Sequence, residues 1–281
     1  MLHPQKRGVV KCFWGVFSTF ATKMQSMVSI SRINLPMVDS TNVFVREMLK
    51  EEQTGQVMSA ATLPGFTLVV ADDQTQGRGQ QGNSWETEKG KNLTFSLLCH
   101  PDFIPASRQF VLSQCMAVAI WQTLSQYVEG VTVKWPNDIY VEDEKISGTL
   151  IECDLQGKSI ANCIIGVGIN INQTMFRSDA PNPTSLKLLT GKEYDREEVL
   201  SAVVHHFQKG YEWLQEGREE EVRQLYMKHL YRREGMHRYA DVRGEFWAAV
   251  AAVEPTGHLQ LRFENGNIVR YEFKEVRFLK D

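Results

Sequence analysis

Cysteine is scarce in this sequence, long apolar runs are missing, and there is almost no net charge. The five cysteines, Cys12, Cys99, Cys115, Cys153 and Cys163, are odd in number and never spaced C-x-x-C. That excludes a disulfide scaffold and a zinc ribbon, and it points to reduced thiols in a cytoplasmic protein. Four of them sit among aliphatic neighbours or in helix- or strand-like segments, where a free thiol packs as a small hydrophobe. No stretch reaches the roughly 18 apolar residues that a bilayer crossing needs, so no membrane partner is expected. Lysine and arginine number 31 against 34 aspartates and glutamates, a formal charge of −3, and no basic excess argues for nucleic acid. G-x-x-x-x-G-K-[ST], internal repeats and low-complexity tracts are absent as well.

What is present suits a large domain followed by a small one: 281 residues, 42% hydrophobic and 23% charged. Residues 1–27 loosely mimic a signal peptide, but Lys11 interrupts the apolar run and Lys23 stands near the would-be cleavage site. They read as a disordered extension. Strands are expected at Phe66–Ala71, Leu93–Cys99, Val131–Trp135, Ile139–Glu142, Ile146–Cys153 and Ile160–Ile169, with Glu142 to Lys145 as a hairpin turn. A helical stripe runs within Ala106–Tyr127. Asp195 with Glu198 resembles a capping box ahead of a helix carrying Val199, Val203, Phe207, Tyr211 and Leu214. Val222 to His229 forms a second helix, and Arg232 to Gly235 a linker. Four short strands follow, at Phe246–Val253, Leu259–Phe263, Ile268–Phe273 and Val276–Leu279, with Asn265-Gly266 as a hairpin signal. The expected fold is α+β, a mixed sheet with helices followed by a small β-barrel.

The long loop Asp72–Lys91 contains Gly77-Arg78-Gly79-Gln80-Gln81-Gly82, which satisfies G-x-G-x-x-G literally. The dinucleotide fingerprint needs a strand before it and a helix after it. Here Asn83-Ser84-Trp85-Glu86 and a strand follow, so the Rossmann reading fails. A loop of that length inside a domain is usually functional. Its glycines let the backbone approach a phosphate, Arg78 offers a forked donor, and Trp85 can stack on a base or anchor the loop.

Five blocks, in order, resemble the biotin–protein ligase family: Asp39-Ser40-Thr41-Asn42, Gln74 with the Gly77–Trp85 loop, Lys134-Trp135-Pro136-Asn137-Asp138, Lys145 to Glu152, and Gly166 to Asn172. The resemblance spans about residues 38 to 172. It implies a class II synthetase-like ligase domain over residues 28–233 and an SH3-like β domain over 234–281. It also implies activation of biotin by ATP as biotinyl-5′-adenylate, then transfer to a lysine of a biotin carboxyl carrier protein.

By that resemblance Lys145, Arg78 and Asp138 carry the chemistry. Ser40, Thr41, Asn42, Gln74, Gly77, Arg78, Gly79, Lys145 and Gly148 hold biotin; Arg78, Gln80, Trp85, Lys134, Asn137 and Asn170 hold the nucleotide. Mg²⁺ is expected with ATP, without an assigned protein ligand. Asp138 would orient the carrier lysine or help hold the metal. The family's loop often carries arginine where this chain has Gln80 and Asn83, which puts the role of Gln80 in doubt. The alternative is a lipoate or octanoate ligase or transferase of the same fold. Some relatives carry an N-terminal helix-turn-helix; the residues before Asp39 show no such pattern, so no operator binding is expected. A homodimer stays open. Adjacent His205 and His206 point about 100° apart on a helix and cannot share a metal.

Overall fold

A computed structural model describes residues 30–54, 65–178 and 182–280. The expected extension over 1–27, with Cys12, lies outside the described residues. A seven-stranded sheet has the order β1-β2-β3-β7-β6-β5-β4. Its strands are β1 (Ile30–Leu35), β2 (Phe66–Ala71), β3 (Leu93–Cys99), β4 (Val131–Lys134), β5 (Asp138–Val141), β6 (Glu144–Gln156) and β7 (Ser159–Ile169). The β1–β2 pair is parallel and every other pair antiparallel. A mixed sheet of this kind is what the sequence pattern predicts.

Side chains alternate between faces along a strand. On one face Phe66, Leu68 and Val70 join Leu93, Phe95 and Leu97 and then Cys163, Ile165, Val167 and Ile169 in the main core. Helices α2 (Phe110–Leu124), α4 (Arg196–Gln215) and α5 (Glu219–Lys228) cover that face. Fully burying each of these larger side chains contributes about 1.5–3 kcal/mol. On the other face Val69, Leu98 and Ile164 pack under Val45 and Leu49 of α1 (Thr41–Thr54). Between them, α2 and α1 close both sides of the sheet centre.

Cys99, Cys115 and Cys163 are buried, Cys153 is half-buried, and all four are free thiols. Burial pushes the Cys115 thiol well above its ordinary range.

Several expected elements differ. The 106–127 helix starts only at Phe110, because Pro105 opens a separate 3₁₀ turn, Ala106–Arg108. Asp195 does cap α4, but its side chain accepts from the N–H of Glu197, so no reciprocal box is needed. The short helix α3 (Leu186–Thr190) went unread. At the C-terminus five strands form an antiparallel, SH3-like sheet in the order β11-β10-β9-β8-β12. They are β8 (His237–Asp241), β9 (Gly244–Val253), β10 (Leu259–Phe263), β11 (Ile268–Tyr271) and β12 (Arg277–Phe278). β8 is not among the four expected strands; it lacks apolar alternation and is recruited by pairing with β9. Gly266 has φ +84, as the Asn-Gly hairpin signal requires. Trp135 Nε1 donates to Gly257 O at 2.8 Å and Phe273 packs on Trp135 and Phe110, so the small sheet is seated on the large domain.

Candidate active site

Three glycines make a trough in the α1 face of the sheet. Across the strands Thr94, Gly168, Gly148 and Asp138 share one rung, and Ser96, Gly166 and Leu150 share the next. The following rung, Leu98, Ile164 and Glu152, passes beneath α1. The floor has no side chains of its own, and Trp85 and Asn42 lie over it. A Cβ on Gly166 would meet Asn42 Oδ1 at 2.2 Å, and one on Gly168 would meet the Trp85 indole at 2.2 Å. The trough and its walls enclose a cleft of about 200 Å³.

One end is neutral and polar. Helix α1 begins at Thr41, with Ser40, Thr41 and Asn42 each only 3% exposed. Gln74 Oε1 accepts from Thr41 N at 2.8 Å, so a side chain from the far loop satisfies a donor of the first helical turn. Backbone bonds zip residues 38–39 to 73–76 and fix that loop against the helix start. Ser96 Oγ lies 2.7 Å from Thr41 Oγ1 and 2.6 Å from Asn42 Oδ1, and Asn42 Nδ2 donates to Glu152 Oε2 at 2.8 Å.

The other end is cationic. The β5–β6 register skips between Ile139 and Tyr140, which pair with Ser147 and Lys145. Such a bulge re-aims a side chain. Lys145 Nζ here reaches Asp138 Oδ1 at 2.7 Å and stands 5.7 Å from the Trp85 ring centre. Asn137 Nδ2 donates to Thr149 O and fixes the turn after β4. The glycine loop closes on itself through Gly79 N to Asn83 O (2.7 Å) and Trp85 N to Gly77 O (2.9 Å), with one 3₁₀ turn, Gln80–Gly82, and no helix. Arg78 is exposed on this loop and lines the cleft, without a hydrogen bond or ion pair among the described residues.

Of the residues expected at the site, Ser40, Thr41, Asn42, Gln74, Arg78, Gly79, Gln80, Trp85, Asn137, Asp138, Lys145 and Gly148 line this one cleft. Gly77 lies behind it, where a Cβ would strike Trp85 O at 2.4 Å. Lys134 and Asn170 line a neighbouring cleft that shares Trp85, Asp138 and Lys145 with the first. The Lys134 ammonium donates to Tyr140 Oη at 2.8 Å, and burial pushes its pKa down to about 8. The Asn170 amide is engaged structurally, donating to Thr184 O at 2.9 Å.

Sequence reasoning missed three contributors. Ser96 is one of two hydroxyls, with Thr94, in the wholly buried strand β3, which was a usable signal. Glu152 closes the fourth block without having been given a role. Lys274, in a left-handed turn of the small sheet (φ +70), also lines the cleft, and nothing in its local sequence points there.

Residues 36–170 match the biotin/lipoate A/B protein ligase family. The match takes in just under half of the chain. Among curated relatives, the bifunctional ligase/repressor BirA of Bacillus subtilis is 34% identical over 166 residues, covering 57% of this chain and 50% of the relative. The biotin–[acetyl-CoA-carboxylase] ligase of Paracoccus denitrificans is 29% identical, covering 62% and 70%. The chain thus spans about half the length of the first of these relatives. Among solved structures, the biotin protein ligase of Aquifex aeolicus in complex with biotin and ATP superimposes with a TM-score of 0.69 at 26% identity. That match covers 89% of this chain and 99% of the other. The family match takes in four of the sequence blocks whole and the fifth as far as Asn170, together with the sheet rungs that form the trough.

Proposed function

We propose that this chain is a biotin–protein ligase that activates biotin with ATP and passes it to a lysine of a biotin carboxyl carrier protein. One observation carries the reading. Arg78 and Lys145, from separate parts of the chain, line the same cleft whose other end presents Ser40, Thr41, Asn42 and Gln74. A cyclic urea suits the neutral polar end, an apolar chain suits the glycine floor, and a carboxylate then reaches the cations.

In the first step a carboxylate oxygen of biotin attacks the α-phosphorus, an acyl–phosphate bond forms, and pyrophosphate leaves. Two like charges 4 Å apart repel by about 4 kcal/mol at an effective dielectric of 20. Lys145 and Arg78 offset that repulsion and the charge that develops in the transition state. In the second step the carrier amine attacks the acyl carbon, loses its proton, and AMP leaves. Asp138, beside Lys145, is the one carboxylate among the described residues of the cleft wall and stands where it can orient that amine. Mg²⁺ belongs to this reading as the companion of ATP. Among the described residues no group of three or more His, Cys, Asp or Glu could hold a metal.

In this reading residues 28–233 are the catalytic domain and 234–281 the small one. The protein works in the cytoplasm, as monomer or homodimer, and neither DNA nor membrane is a partner. No helix among the described residues is long and apolar enough to cross a membrane. The test is ATP–pyrophosphate exchange with biotin, lipoate and octanoate compared side by side. Exchange with biotin is expected; exchange driven by lipoate or octanoate alone would replace this reading with the alternative.

A further inference from the structure

The polar end of the cleft forms one hydrogen-bond chain, and its polarity is set from outside the cleft. Glu152 shares its rung with Leu98 and Ile164, at the margin of the apolar patch beneath α1, and does not line the cleft. A carboxylate can only accept, so it turns the Asn42 amide with Nδ2 toward itself, at 2.8 Å. A longer contact from Nδ2 to Leu150 O, 3.4 Å, agrees with that orientation. Asn42 Oδ1 must then face Ser96 and the Gly166 floor. The single hydroxyl proton of Ser96 goes to Asn42 Oδ1, 2.6 Å away, so across the 2.7 Å contact Thr41 Oγ1 donates to Ser96 Oγ; Gln74 Oε1, at 3.1 Å, is the more distant of the two acceptors open to Thr41 Oγ1. At the opposite end the backbone N–H of Thr41 fixes Gln74 Oε1, so Gln74 turns its Nε2 donors away from the helix.

We propose that Glu152 is a positioning residue that sets the donor and acceptor pattern shown to the ligand's polar head. Asn42 Oδ1 and Thr41 Oγ1 act as acceptors and Gln74 Nε2 as donor, a pattern that suits a head with two N–H groups flanking one carbonyl. This deepens the biotin reading and rests on it. Without the carboxylate, the Asn42 amide can rotate, the hydroxyl chain can reverse, and the cleft loses its preference for N–H groups. Arg46 with Asp154, the same arrangement one turn along α1 and two residues along β6, anchors this face of the helix independently. Loss of Glu152 therefore need not unseat α1.

The test is calorimetric titration of biotin into the full chain, with exchange kinetics beside it. Glu152→Leu should weaken biotin about tenfold through KM, with kcat at saturating biotin within about twofold. Asn42→Asp sets two carboxylates against each other and should weaken biotin more strongly. Adding Glu152→Gln to it restores a donor facing an acceptor and should recover much of that loss. The rescue distinguishes orientation from mere support of the fold, and it uses only shape-conserving changes, so it decides the matter even where Glu152→Leu does not fold. Wild-type affinity in Glu152→Leu, or Asn42→Asp and Glu152→Gln losses that simply add, would overturn the proposal. Biotin-dependent exchange by the wild type checks the underlying function separately.

Discussion

Lys134→Met should make the protein more stable at neutral pH while slowing its nucleotide step, and pH should separate the two effects. The Lys134 ammonium sits 4.2 Å from the centre of the Tyr140 ring and 5.3 Å from that of Phe278. Burial depresses its pKa to about 8; Lys145 and Arg232 push the same way, Asp138 and Asp143 the opposite way. Against an ordinary value near 10.5, this is a native-state penalty on the charged form of about 3 kcal/mol. At pH 7 both the folded and unfolded chains hold the proton, so the penalty is fully present. Between about pH 8 and 10.5 the unfolded chain binds the proton that the folded chain has lost, and stability rises with pH across that window.

Methionine keeps the apolar stem and carries no such penalty, but it forfeits the bond to Tyr140, worth about 1 kcal/mol. In urea unfolding the variant should be more stable by about 2 kcal/mol at pH 7. That advantage should largely vanish by pH 10. In ATP–pyrophosphate exchange the wild-type kcat/KM for ATP should fall through a pKa near 8 as the cleft loses a cation, and the variant should lack that limb. A stability difference that stays flat from pH 7 to 10 would refute the buried ammonium, and an unchanged alkaline limb in the variant would assign the activity change to another group.

Lys145→Ala should lower biotin-dependent exchange by about 10²-fold or more. Its largely buried pair with Asp138 should move stability by about 1–3 kcal/mol; exchange at the wild-type rate would end its assigned role. Gly168→Ala places a Cβ 2.2 Å from the Trp85 indole and should cost about 1–3 kcal/mol in unfolding experiments. ATP affinity should fall more than biotin affinity, and equal losses would argue that Trp85 does not serve the nucleotide. Lys274→Gly relieves a left-handed φ of +70 and should stabilise by about 1 kcal/mol while raising KM for ATP several-fold. An unchanged KM would make that side chain a bystander.

The elements read correctly from sequence are those whose information is local. The apolar runs of β2 and β3, the stripe of α4 and the Asn265-Gly266 turn each announce themselves within a few residues. β8 does not, because His237–Asp241 becomes a strand only through pairing with β9. The site divides in the same way. Arg78, Lys145, Asp138 and the Ser40–Asn42 segment each stand in a contiguous block that carries the family resemblance, and the fold brings them to one cleft. Ser96 and Glu152 reach Asn42 across three strands, a relation fixed by register, which no single stretch encodes. Lys274 requires the docking of one domain on another, more distant still from any local pattern.

The same register explains why this sheet can carry a cleft without weakening its core. Period two sends Phe95, Leu97, Ile165 and Val167 to the helical face and leaves positions 96, 148, 166 and 168 to the trough. A slip of one residue in β7 would exchange glycines for core side chains and abolish both faces together. With a floor of glycines, discrimination between ligands falls to the walls. One wall is the start of α1, pinned by the carboxylate of Glu152 and the amide of Gln74. The other combines Lys145, aimed by a bulge within the sheet, with Arg78 on the glycine loop and Trp85 at the foot of that loop. The α1 wall therefore presents a fixed hydrogen-bond pattern to a head group, while the loop wall supplies cations at the other end. Substitutions in the two walls should accordingly separate head-group recognition from anion binding.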